Sequence, residues 1–166
     1  MKSPSITAWL LASLVAMPTL AVAHDPKAHA TTAPVQQVSE QAKPAVAVIE
    51  QFSSALKTGD LKRAGEVLAD DVVILESGGA EHSREEYLGG HAKDDAAFLK
   101  DAHVQVTRRI ARAEGSLVWV ATESELHATD KGQPLTLLST ETMVVRKTAT
   151  GWRIVHIHWS SQPKVQ

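Results

Sequence analysis

The sequence predicts an α+β fold, a cone-shaped roll in which three N-terminal helices pack on a curved antiparallel sheet. Three observations carry that expectation. Apolar residues recur at helical spacing between Ala45 and Leu68, four long segments rich in Val, Thr, Ile and Trp fill the chain after residue 102, and short Gly-containing turns separate those segments. Helices first and strands afterwards, joined by turns too short for crossover helices, imply one sheet that wraps the helices and leaves an open end as a pocket.

The elements follow in order. Lys2 precedes an apolar run from Ile6 to Met17, and Ala21 and Ala23 supply the small residues of a signal-peptidase site. Residues 1–23 are therefore expected to be a secretory signal, since the run falls short of the ~20 residues of a membrane-spanning helix. Residues 24–43 are rich in Ala, Thr, Pro and Gln and are expected to be a flexible leader. The folded domain is expected at 44–162, with a tail at 163–166. Its first helix starts at Pro44, carries Ala45, Ile49, Phe52 and Leu56 on one face and stops at Thr58-Gly59. Asp60 caps a second helix with Leu61, Ala64 and Leu68 inward. Val72 to Glu76 reads as a strand closed by Gly78-Gly79, and Ser83-Arg84-Glu85-Glu86 is a capping box that opens a third helix, interrupted at Gly89-Gly90. Residues 103–113, 116–128, 135–147 and 152–160 form an antiparallel meander.

Composition narrows the chemistry. The 166 residues hold eight His and no Cys, which excludes disulfides, thiolate metal sites and cysteine nucleophiles. A formal charge of −2 leaves no basic footprint for nucleic acid. No Cys follows the apolar run to take a lipid, so a periplasmic or secreted location is expected, with no stable membrane anchor after cleavage.

Val48-Ile49-Glu50-Gln51-Phe52 through Thr58-Gly59-Asp60-Leu61, Leu68-Ala69-Asp70-Asp71-Val72-Val73-Ile74, and the ending Gly151-Trp152-Arg153-Ile154-Val155-His156-Ile157-His158-Trp159-Ser160 resemble, in order and spacing, the SnoaL-like and ketosteroid isomerase-like branch of the nuclear transport factor 2-like superfamily. The resemblance spans about residues 45–162. It implies the cone fold and a homodimer, and it spans isomerases, cyclases, dehydratases and binding proteins without known activity, so fold does not deliver function. Ketosteroid isomerases carry a tyrosine on the first helix, whereas the one tyrosine here is Tyr87, which argues against a copy of their oxyanion hole.

On a regular strand His156 and His158 share a face with Trp152, Ile154 and Ser160. A turn at Thr148–Gly151 sets Lys147 opposite Trp152, Met143 opposite His156 and Glu141 opposite His158, and the same register brings Glu123 near Ser139. The expected pocket thus has His156, His158 and Glu141 as its acid/base end, with Glu123, Trp152, Tyr87 and Met143 lining the ligand; a structural His/Glu network is the alternative. Of Arg108 and Arg109 only one side chain can enter, and Asp94-Asp95 reads as a solvated pair. His82 and His91, at helix ends, join His156 and His158 as candidate Cu or Zn ligands, and His24 with His29 would chelate copper at a new amino terminus. The leading expectation is an exported small-molecule-binding protein that requires no cofactor. The alternatives are an acid/base enzyme of isomerase, cyclase or dehydratase type and a periplasmic copper or zinc binder.

Overall fold

The structure is a computed structural model and describes residues 34–165. The expected signal segment and the His24 and His29 pair lie outside the described residues. Val35–Val38 forms β1, a 3₁₀ turn spans Glu40–Ala42, and α1 runs Lys43–Thr58. The part of the expected leader nearest the domain is thus structured. β1 pairs in parallel with a strand more than sixty residues later, and Ala42 is fully buried. Nothing in Val-Gln-Gln-Val signals this, because an exposed edge strand is held by its partner's backbone and has no apolar face of its own.

Pro44 lies in the first turn of α1, where its missing N–H costs no helical bond. The helix ends at Gly59, whose φ of 72° only glycine adopts without penalty and whose amide donates to the carbonyls of Ala55 and Leu56. The Asp60 side chain accepts from the Arg63 amide and opens α2, Leu61–Val67. Leu68, read as the end of that helix, instead begins β2, Leu68–Glu76, which a turn joins to the short β3, Gly79–Glu81. The Ser83 side chain accepts from the Glu86 amide at the start of α3, Arg84–Gly89. The interruption at Gly89-Gly90 is complete, so the expected third helix is two helices, α3 and α4 (Ala92–Asp101).

The expected meander follows as β4 (His103–Glu114), β5 (Leu117–Asp130), β6 (Gln133–Thr148) and β7 (Gly151–Pro163). The described residues build one seven-stranded sheet in the order β1-β4-β5-β6-β7-β2-β3. The central pairings are antiparallel, while β1 and β2 add to the two ends of the meander in parallel. Ile49, Phe52 and Leu56 of α1 pack in one core with Val118, Met143 and Ile157 of the sheet. No helix among the described residues is long and apolar enough to cross a membrane.

Besides a shift between Leu68 and Val73 in β2, two irregularities decide which side chains face that core. One lies between Val106 and Arg108 in β4. The other lies in β7, where Val145 opposes Ile154 but Val144 opposes His156, leaving Val155 as an extra residue. A bulge of one residue reverses the inward and outward alternation beyond it. From there Met143 opposes Ile157, Thr142 opposes His158 and Glu141 opposes Trp159, which corrects the regular register.

Candidate functional site

A cavity of about 510 Å³ opens between α1, α4 and the inner face of β4–β7. Its walls are mostly apolar, with Phe52 and Leu56 from α1, Phe98 and Leu99 from α4, and Leu126, Leu137 and Met143 from the sheet. Serines of α1, β5, β6 and β7 and Lys57 also line it, and its carboxylates gather at two places.

The first is in the sheet. Glu141 on β6 is partly buried in the cavity wall, and the indole Nε1 of Trp159 donates to its Oε2 at 2.8 Å. Burial pushes the Glu141 carboxyl above the usual carboxylate range, opposed in turn by the Trp159 hydrogen bond, the Arg109 charge and the Thr122 hydroxyl. Arg109 reaches in from β4 with an 88% buried side chain; its Nη1 contacts Glu50 Oε1 at 3.1 Å, and its Nε is buried without a partner. Trp159 is held by rings, stacked on Phe52 at 6.4 Å between centroids and tilted against Tyr87 at 6.3 Å.

The second is at the helix side. Glu76 ends β2, Glu81 ends β3 and His91 precedes α4. His91 Nδ1 lies 2.6 Å from Glu76 Oε1 and 3.0 Å from Glu81 Oε1. Asp95 lines the cavity and accepts from the Tyr87 hydroxyl at 2.8 Å. Burial raises the Glu76 and Asp95 carboxyls, and neighbouring carboxylates add to the effect. For His91 burial works against the charge, but the Glu81 hydrogen bond and the carboxylates of Glu76, Asp95 and Glu81 prevail and push it up. Burial and Asp95 drive the Tyr87 phenol far above its ordinary value, so it stays a donor. Glu76, Glu81 and His91 offer three ligand atoms within 4.8 Å of one another, the one such group among the described residues.

The structure separates the residues that the sequence grouped. Glu141 and Met143 line the cavity. His156 and His158 lie beyond the bulge on the outer face of β7; His156 Nδ1 sits 2.9 Å from the Val73 carbonyl and His158 is exposed. Neither reaches Glu141. Glu123 is also outward, paired with Arg108 at 3.3 Å, because Asp130 already pairs with Gln133 across a two-residue turn and Glu123 therefore opposes Thr140 and not Ser139. Trp152 packs on the core outside the cavity wall, and Tyr87 is fully buried behind it, acting through Asp95. His82 is exposed, with its backbone amide bonded to Glu86. Of the four histidines proposed for a metal only His91 joins an acidic cluster. Glu76 escaped the sequence reading, and Asp95, expected in a solvated pair, instead lines the cavity and bonds Tyr87. The available signal was the hairpin: closing it on Ser77-Gly78, one residue earlier than Gly78-Gly79, pairs Ile74 with Glu81, so Glu81 and Glu76 share the inward face of Ile74.

The comparisons agree with this architecture. A family model described as a SnoaL-like domain matches residues 45–164. A provisionally assigned ketosteroid isomerase from Shewanella frigidimarina NCIMB 400 is 32% identical, with a TM-score of 0.68 over 70% of this chain and 94% of its own. A provisionally assigned calcium/calmodulin-dependent protein kinase II association domain from Xanthomonas campestris is 22% identical, with a TM-score of 0.65 over 80% and 97%. A provisionally assigned NTF2-like dehydratase from Streptomyces avermitilis is 17% identical, with a TM-score of 0.62 over 72% and 95%. At these identities the last two share the fold alone. No curated protein matches.

Proposed function

Since this chain belongs to the SnoaL-like domain family, we propose that it binds a small molecule with an apolar body and one oxygen function in the cavity between α1, α4 and the sheet. The carrying observation is that Glu141 and Arg109, whose charge acts on that carboxyl, both line a cavity whose larger side chains are apolar and whose other sheet-side polar groups are mainly serine and threonine hydroxyls. The unpartnered Arg109 Nε–H is a donor for a carbonyl or carboxylate oxygen, and a buried donor left unpaired costs about 1–3 kcal/mol that such a ligand would recover.

Glu141 favours a second reading, acid/base turnover of the isomerase or dehydratase type carried by the names of two structural neighbours. A carboxyl raised by burial is a stronger base once ionised than a solvated one. Glu141 takes a proton from the carbon next to a carbonyl, the C–H electron pair moves to the carbonyl oxygen as an enolate, and Arg109 donates to that oxygen. Returning the proton at another carbon completes an isomerisation. The protein acts after export, as the apolar N-terminal run supports, and a second copy covers the outer sheet face, where Leu117 and Trp119 stand exposed.

Two measurements test this. The apolar anionic dye 1-anilinonaphthalene-8-sulfonate should bind and quench Trp fluorescence, and Arg109→Ala should weaken it at least about tenfold. A β,γ-unsaturated ketosteroid should be converted to the conjugated enone, with Glu141→Gln at least about 100-fold slower. Dye binding without conversion leaves a binding protein; dye affinity unaltered in Arg109→Ala and in Glu141→Gln refutes the assigned pocket.

A further inference from the structure

The proposed ligand reading uses the sheet side of the cavity and leaves Glu76, Glu81 and His91 unexplained. We propose that these three side chains bind one divalent transition-metal ion of the zinc type, beside the cavity and separate from Glu141. This inference does not depend on turnover.

The geometry is the first argument. His91 Nδ1 carries at most one proton, yet two carboxylate oxygens crowd it, Glu76 Oε1 at 2.6 Å and Glu81 Oε1 at 3.0 Å. The bond of good geometry goes to Glu81. Glu76 Oε1 is buried with only that same proton to share, and Glu81 Oε2 is buried with no hydrogen bond. Buried carboxylate oxygens without donors are rare, and they are explained by a missing proton or an ion. The three ligand atoms lie within 4.8 Å of one another, so small side-chain rotations bring all of them to the ~2.0–2.2 Å of zinc–nitrogen and zinc–oxygen bonds.

Charge is the second. Three carboxylates, Glu76, Glu81 and Asp95, surround one imidazole, and a dication offsets the excess in a place where water is partly excluded. One imidazole nitrogen and two carboxylate oxygens suit zinc and its neighbours, whereas calcium and magnesium prefer oxygen alone. The donors also sit on a firm frame. Glu76 and Glu81 belong to paired strands of one hairpin, and His91 is set by the start of α4. Asp95, held by the Tyr87 hydroxyl, adds its charge to theirs. Three protein donors leave a fourth position for water or for a ligand entering the cavity, which Glu76 and Asp95 both line.

The test is calorimetric titration of the untagged, chelator-treated protein with Zn(II), together with the visible absorption of its Co(II) form. One ion per chain is expected, with a rise in unfolding temperature as zinc is added. His91→Ala, Glu76→Gln and Glu81→Gln should each weaken binding at least about tenfold. His24→Ala, His82→Ala, His156→Ala and His158→Ala should not, and neither should Glu141→Gln. Circular dichroism separates a lost site from a lost fold. Absence of both heat and a Co(II) ligand-field band in the unaltered protein overturns the proposal, as does binding that survives His91→Ala but disappears in any of the other histidine variants.

Discussion

Trp159→Phe tests the hydrogen bond that holds Glu141. The substitution removes the indole N–H, 2.8 Å from Glu141 Oε2, and keeps a ring to stack on Phe52. Two costs should separate by pH. Lost ring atoms and the neutral hydrogen bond together remove about 2 kcal/mol at any pH. The extra strength of a bond to an ionised acceptor adds roughly 1–1.5 kcal/mol, and only where Glu141 is charged. The sign follows from linkage. Folding raises the Glu141 pKa, so the stability it contributes is complete below the unfolded carboxyl value and is lost as pH rises through the folded one. Removing a donor to the charged form raises the folded pKa further. Variant and parent therefore differ by the constant amount in acid, and the gap opens as pH climbs through the raised Glu141 value to a plateau above it. Urea unfolding from pH 4 to 8 reads the gap, and the pH-dependent part corresponds to about 3–6 °C in Tm for a domain of this size. A gap of the same size at every pH would show that the indole does not stabilise the Glu141 carboxylate.

Two other substitutions probe the assignment of faces. His156→Ala and His158→Ala should leave dye affinity and turnover within about twofold of the parent; His156→Ala should lose about 1 kcal/mol in urea unfolding with its Val73 contact, and His158→Ala less than about 0.5 kcal/mol. A loss of turnover in either variant while the fold is retained would return the acid/base role to β7. Ile49→Ala empties a fully buried position between α1 and the sheet and should cost about 2–5 kcal/mol by the same method, a large part of a typical domain's stability. A loss below about 1 kcal/mol would mean that α1 is not seated on the sheet as described.

The elements that the sequence made legible are those whose determinants are local. α1 carries its start in Pro44, its buried face in Ala45, Ile49, Phe52 and Leu56, and its stop in Gly59, all within one helix. The strands of the meander announce themselves by β-branched runs and by the Gly115, Gly132 and Gly151 turns, each with positive φ. β1 was illegible because its stability lies in Arg108 to Ala111 of β4, and β3, three residues long, shows only through its turn with β2. The site suffered from a different gap. Counting back from the turn at Thr148–Gly151 gives the correct pairs as far as Val145 with Ile154, and one extra residue at Val155 inverts everything after it. No local composition marks that bulge, since Val-Val-Arg and Ile-Val-His are ordinary strand residues on either side.

That single residue also determines the chemistry at Glu141. With a regular β7 the imidazole of His158 would oppose Glu141, and a cation beside the carboxyl would draw its pKa down and make it an ordinary ion-paired acid. The bulge turns His158 out and brings Trp159 in, a donor that can orient the carboxyl but never carries a charge. The remaining cation, Arg109, is shared with Glu50 and is outweighed by burial, so Glu141 keeps a raised pKa in an apolar wall. Deleting Val155 therefore becomes a sharp test of cause. A chain that still folds should bring His158 against Glu141, and a nuclear magnetic resonance titration should then place the Glu141 carboxyl below its value in the parent; an unmoved titration would mean that the bulge does not set the state of this acid.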